Sequence, residues 1–550
     1  MSDVTEGRRR YRKELGLWSI VFLATGAILG PAVGFTPVDV LGFAGPAGIF
    51  AWMIAFLLVL TVAMCYVELG TMWPRAGGVA YYPARSSGPL VGVLNAWGSF
   101  IGYSLAVPSI IVAFVEYVSY WVPQLFQNGA LSAFGILVSL AVVAALFGIN
   151  VLRIRYLGQI NNVLTVLTIL GLVIVIVALL TRFHLANFSH FGGVLPLGAS
   201  GLFLAVSATI YGFGGFRQPI DYAEEVRDPG RTIPIAVVMT MFITLAIFCL
   251  ESFSFTGAID WAAMKLPSGA WDKLNGLAYP FVTVAQGGGL AFIALVALVT
   301  TLIASFKDGY IYYGGASRVG HTLARYDRFL PTIFTRMSTH GIPIASVLLV
   351  LIVSFIYLLL LPAFSSLFPL VASALVLSYA PGPLAVAIFR TKNPEEHRPY
   401  RLPLYKVLCP WAFVVASVLV YWSGWHAVRI LIPSVAVGML LLFFYARARR
   451  ITRDDIVYGI WMPAYLAVIV IVSWLGGSAF GGTNVIPFPW DTVVFAVIAL
   501  IFYYIGLTCG IRWKGVGIFE EAAAPAEVPA PGGTAAETTL DPSSEAQPES

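Results

Sequence analysis

Polar residues interrupt this chain only at intervals. Between them run stretches of roughly 20 apolar residues, each long enough to cross about 30 Å of hydrocarbon as a helix. The pattern predicts fourteen spans, near residues 17–41, 47–70, 90–121, 130–150, 158–181, 200–226, 233–257, 283–316, 342–361, 364–389, 404–424, 427–446, 458–476 and 490–511. Composition agrees: 59% of residues are hydrophobic, only 11% are charged, and the mean hydropathy is +0.86, far from the norms of soluble domains. The expected fold class is an all-α integral membrane protein.

Charge then orients the spans, because positively charged loops stay cytoplasmic. An even number of spans puts both termini on one side. If that side is the cytoplasm, the outer loops hold only Arg182, Lys265, Lys273 and Arg429, and the basic groups gather in the alternate loops. A wrong span count would scramble that alternation. The expected location is therefore the cell membrane, with both termini cytoplasmic. The net charge of +5 serves topology and contact with anionic lipid, with no nucleic-acid partner expected. The first apolar run is too long for a cleaved signal and lacks a small-residue cleavage site. Four cysteines, Cys65, Cys249, Cys409 and Cys509, have no metal or redox spacing. No catalytic or metal-ligating cluster occurs, so neither an enzyme nor a cofactor is expected. Residues 1–16 read as a basic cytoplasmic segment, and residues 520–550, rich in Pro, Ala and acid, read as a disordered tail.

Two spans break the pattern from within. The first carries TGAILGPAVGFTP and the sixth carries TIYGFGGFRQPI. Backbone groups in lipid must be paired internally, so glycine and proline at mid-span imply backbone that faces protein or a water-filled cavity. In both spans glycine precedes a proline: Gly30 then Pro31, and Gly214 and Gly215 then Pro219. Proline suits the first position of a helix, so each span is expected as two half-helices, unwound at mid-membrane. The breaks open two successive five-span blocks, residues 17–181 and 200–389. Five is odd, so the second block enters the membrane from the opposite side. Matching breaks in inverted halves point to a secondary transporter and to its binding site. Close helix packing through small residues is the plainer explanation of the glycines.

The residues around these breaks resemble the amino acid, polyamine and organocation (APC) transporters. The carriers of the resemblance are Gly215-Phe216, Ala223-Glu224-Glu225, Asp228-Pro229, Arg231 and Ile233-Pro234. Others are LGLWSIVFLATGAILG, ELGTMWPRAGG, ASRVGHTLARYDRFLP and HRPYRLPLYK, spread over residues 14 to about 410. The resemblance implies a LeuT-type fold of five plus five inverted helices, with alternating access and transport of amino acids or related amines. Four further spans, residues 404–511, lie outside that core. The expected substrate site lies at the breaks, from Gly26, Ala27, Ile28, Gly30 and Ala32 with Gly214 and Gly215, and with Tyr103 and Phe213 as candidate walls or, alternatively, ordinary aromatics of a membrane core.

Departures from the family pattern bear on specificity. Family members commonly read Gly-Ser-Gly-Ile-Phe at the first break, where free N–H groups and a helix N-terminus hold the substrate carboxylate. Here Pro31 removes one donor and Ala32 adds a methyl, which weakens anion binding in expectation. Arg217 stands where many relatives carry Glu. An arginine at mid-bilayer costs about 2.5–3.5 kcal/mol, so it needs an interior partner. Asp221, four residues on, and Glu116 are candidates. The arginine is either half of a structural ion pair or a border of the substrate site that replaces the lost anion-binding capacity.

Lys307 and Asp308 interrupt the eighth span. Adjacent residues diverge by about 100° on a helix, so they need not pair with each other. By the resemblance, Lys307 falls near the place where sodium-coupled relatives hold an ion between helices one and eight. An ammonium there would stand in for sodium, and buried lysines give up their proton readily, which suits proton coupling. A permanent salt bridge to an acid is the alternative. Lys307, Asp308 and Asp221 are thus the coupling candidates. The expected function is secondary transport of amino acids, coupled to protons or to exchange rather than to sodium. A carrier of other organic amines or anions, a channel and a sensor remain alternatives.

Overall fold

The computed structural model describes residues 11–515 apart from 153, 326–327, 339 and 449–450. The expected tail, and most of the basic N-terminal segment, lie outside the described residues. Helices account for about three quarters of the described chain, since only a helix pairs every backbone group without help from neighbouring segments or water. Strand pairing among the described residues is confined to a two-residue hairpin, Phe126–Gln127 with Ala130–Leu131, and to a bridge between Leu15 and Val226.

Twelve stretches are long and apolar enough to cross a membrane, against the fourteen expected. The difference arises at two places. The first span is cut, so that Leu17–Ile28 is a short helix, and its second half, Ala32–Ala44, runs through the turn Gly45–Ala47 into Gly48–Met72 as one apolar stretch. The ninth, Ile344–Leu360, has only 17 residues.

The helix Pro89–Val118 forms the centre, buried on nearly every side and packed against Ala291–Arg325 and Phe364–Leu377. Small residues set these approaches. A Cβ on Gly315 would lie 2.8 Å from the Tyr103 ring, and one on Gly102 would lie 3.1 Å from Leu375. Peripheral helices such as Gly158–Leu180 and Trp490–Arg512 instead turn Val163, Leu170, Val177, Val497 and Ile501 outward, as lipid contact requires. The C-terminal helices Tyr405–Trp422 and Trp490–Arg512 pack on each other, and the former also packs on Gly48–Met72.

Buried ion pairs tie the basic loops to the core. Glu68 receives Arg390 through both oxygens, at 2.8 and 2.6 Å, and also the backbone N–H of Leu402 at 2.8 Å. Arg318 donates to Glu225 at 2.5 and 3.0 Å and lies over the Tyr222 ring at 3.9 Å. Burial pushes the Glu225 carboxyl up, and the Arg318 guanidinium opposes that shift. Residues 11–16 join the same cluster: the Leu15 N–H donates to the Glu225 carbonyl and the Arg227 N–H to the Leu15 carbonyl.

Candidate functional site

The first half-helix ends at Ile28 and the next begins at Ala32. Proline supplies no N–H and crowds the preceding turn, which favours a break before Pro31, although Pro37 and Pro108 sit within continuous helices. The last carbonyls of a helix have no donors of their own. Here Lys307, from the Ala291–Arg325 helix, supplies them: its Nζ donates to the carbonyls of Gly26 at 2.7 Å and Leu29 at 2.6 Å. A cation at a helix C-terminus also meets the negative end of the dipole. The ammonium is completely buried. Its hydrogen bonds go to the broken helix and not to an acid.

Gly30 is required by a close approach. A Cβ there would overlap the carboxylate of Asp308, which is itself buried. Gly26 is held in the same way from the other side, since a methyl on it would lie 2.8 Å from Asn161 Oδ1 and 2.9 Å from Thr165 Oγ1. Beyond the break the backbone turns at once into the second half-helix. Val33 and Gly34 donate to the carbonyls of Gly30 and Pro31 at 3.3 and 3.0 Å, and the N-terminus of Ala32–Ala44 opens onto the break.

The sixth span is interrupted differently from expectation. Gly198–Thr209 does not unwind after its last turn but tightens into a 3₁₀ run over Ile210–Arg217, followed by a short α-turn, Gln218–Asp221. Runs of this kind longer than three or four residues are uncommon and often mark hinges. Glycines at 212, 214 and 215 permit it, because 3₁₀ geometry stacks side chains at every third position. Gly215 also lets the run touch the first half-helix: a Cβ there would sit 2.5 Å from Ile28 Cγ1 and 2.7 Å from the Ala24 carbonyl. Gly215→Ala is therefore expected to push the two broken helices apart. The expected cost is about 1–3 kcal/mol of stability, read as a lowered melting temperature, with substrate affinity falling in parallel.

Arg217 is fully buried and its donors are committed. Nε donates to Asp221 Oδ2 at 2.8 Å, and the two terminal nitrogens reach Ser378 Oγ and Ser99 Oγ at 3.3 Å each. Its guanidinium lies 4.0 Å from the centre of the Tyr103 ring. Asp221 is the hub: besides Arg217 it accepts the Tyr103 hydroxyl at 2.6 Å and the Val79 N–H at 3.1 Å. Glu116 takes no part in this network. Tyr103 thus serves the ion pair, and Phe213 packs edge-on against Trp52 and Phe248.

The structure brings Gly26, Ala27, Ile28, Gly30, Gly215, Lys307 and Asp308 together around the first break, and gathers Tyr103, Gly214, Arg217 and Asp221 around the sixth. Sequence reasoning missed the tenth span as a third interruption. The helix Phe364–Leu377 ends before Tyr379, and Pro381–Lys392 resumes it. The Tyr66 hydroxyl is shared between the buried carbonyls of Ser378 and Tyr379 at 3.1 and 3.2 Å, and Tyr379 donates to the Gly214 carbonyl at 3.3 Å. The signal was present in Pro381-Gly382-Pro383. Ser99, Asn161 and Thr165, polar residues scattered through apolar helices, carried no signal of their own.

Comparison with known proteins places this geometry in a family context. The model of the amino acid permease family matches residues 15–458. The glutamate/serine transporter AimA of Bacillus subtilis (strain 168) is 30% identical, over 91% of this chain and 94% of its own length. The aspartate-proton symporter of the same organism is 27% identical over 90% and 96%. Its branched-chain amino acid permease BcaP is 23% identical over 80% and 95%.

Proposed function

We infer that this chain, which belongs to the amino acid permease family, is a multi-pass membrane carrier that moves amino acids by alternating access, driven by protons or by exchange and not by sodium. The observation that carries the coupling is the Lys307 ammonium on the Gly26 and Leu29 carbonyls. A fixed cation at the end of the first half-helix occupies the position of a coupling ion, and a lysine can deliver charge there by gaining and losing a proton. An aspartate-proton symporter among the relatives supports the same reading. Residues 17–181 and 200–389 are the two inverted halves that rock about the breaks, residues 404–511 add four helices, and both termini face the cytoplasm. Glutamate, serine and aspartate, named for two of the relatives, are the first substrates to try.

Purified full-length protein in proteoliposomes tests this. Serine or glutamate uptake is expected to saturate, to show counterflow, to rise with an inward pH gradient or with internal amino acid, and to be unchanged when choline replaces sodium. Strict sodium dependence overturns the coupling. Flux without saturation or counterflow overturns the carrier in favour of a channel. Uptake confined to organic amines or to dicarboxylates lacking an amine reassigns the substrate.

A further inference from the structure

One ionisable side chain at the first break has an oxygen with no hydrogen-bond partner among the described residues. Asp308 is 1% exposed, and its Oδ1 makes no hydrogen bond among the described residues. Lys307 precedes it in sequence, but the two side chains diverge around the helix, and the ammonium is spent on the Gly26 and Leu29 carbonyls. The Asp308 carboxylate instead lies against Gly30, where any side chain would overlap it. An ionised carboxylate removed from water without a full set of partners costs several kcal/mol, a cost that a proton or a substrate ammonium at the break would offset.

We propose that Asp308 is the counter-ion for the ammonium group of the transported amino acid. The inference rests on the amino acid transport reading above and adds to it the atom that recognises the amine. Gly30 joins the two ends of the site. On one side it abuts the Asp308 carboxylate, and on the other it precedes Pro31 and the N-terminus of Ala32–Ala44, the end of a helix whose dipole favours an anion, although the Val33 and Gly34 N–H groups already donate to the Gly30 and Pro31 carbonyls. An α-amino acid carries an ammonium and a carboxylate on one carbon, and these two poles of the break can meet them together. The charges also close. The substrate ammonium answers the Asp308 carboxylate, whereas an acid without an amine brings a second negative charge against it. The substrate class is therefore a free α-amino acid. N-acylated and amine-free analogues are rejected, whatever the side chain.

The test is competition binding on purified full-length protein with L-serine and L-glutamate, each against its amine-free counterpart, 3-hydroxypropionate and glutarate. On the unmodified protein the amine-free acids are expected to bind at least about 100-fold more weakly, since a buried polar group left unpaired penalises the analogue that lacks its partner. In Asp308→Asn the amino acid is expected to fall to the level of its amine-free counterpart, while the counterpart itself is unchanged; Asp308→Glu recovers part of the difference. Equal binding of amine-free and amino acids by the unmodified protein overturns the proposal without any variant, so misfolding of Asp308→Asn cannot rescue or sink it. Unchanged amino acid affinity in Asp308→Asn also overturns it, and loss of pH-driven uptake in that same variant would assign Asp308 to the proton instead. If the unmodified protein binds no amino acid, the transport reading itself falls, and this inference with it.

Discussion

Lys307→Met is expected to reduce pH-driven uptake by about 100-fold, equivalent to about 2.7 kcal/mol of lost coupling, while leaving protein in the membrane. Methionine fills much of the lysine volume but offers nothing to the Gly26 and Leu29 carbonyls that now receive Nζ at 2.7 and 2.6 Å. Each buried carbonyl left unpaired costs about 1–3 kcal/mol, so the end of the first half-helix loses its anchor to the Ala291–Arg325 helix. Thermal unfolding in detergent should register that loss beside the transport defect. Lys307→Ala is the informative companion, because it leaves space beside the same carbonyls. Stabilisation of Lys307→Ala by sodium over choline would show that the ammonium stands in for a metal cation. Full pH-driven uptake by Lys307→Met would place the coupling group elsewhere.

Asp221→Ala should be the most destabilising single change at the sixth break. It strands a completely buried guanidinium and removes the acceptor of the Tyr103 hydroxyl and the Val79 N–H. Removing one member of a buried pair costs about 3–5 kcal/mol, because the remaining charge has nowhere to go. The reciprocal change Arg217→Met leaves Asp221 with two neutral donors and is expected to cost less. The double change Arg217→Met with Asp221→Asn should recover much of the stability lost in Asp221→Ala, since no uncompensated charge remains. Melting temperatures of the three variants check the ordering. Substrate affinity decides the role of Arg217: near-normal amino acid binding by a folded double variant makes the pair architectural, and lost binding despite recovered stability makes the arginine a substrate contact.

The sequence and the tertiary structure contribute to these predictions unequally. The interruption at Pro31 was legible because glycine followed by proline weakens a helix locally, although proline alone does not decide it, since Pro37 and Pro108 sit within continuous helices. The pairing of Arg217 with Asp221 was legible for a similar reason, four residues being one helical turn. The sixth break was located correctly but its geometry was not. Glycine allows both an extended backbone and a tight 3₁₀ turn, and the choice fell to the packing of Gly215 on Ala24 and Ile28. The tenth break carried a local signal in Pro381-Gly382-Pro383 that was passed over, and its partners, Tyr66 and Gly214, lie in other spans.

By itself, then, the sequence determined that this chain lives in a membrane, roughly where it crosses, which loops carry its positive charge, and that charges at 217 and 307 must be answered inside the protein. These follow from transfer free energies and helical repeat, which act residue by residue. Only the tertiary structure decided who answers them. Lys307 meets carbonyls 281 and 278 residues away, and Arg217 reaches serines 118 and 161 residues away. Such partners are set by which helix faces meet across the core, and a one-dimensional pattern of apolar and polar positions carries no register between distant helices. The same meeting of faces leaves Asp308 against Gly30 at the break, the contact on which the recognition of a free amine rests.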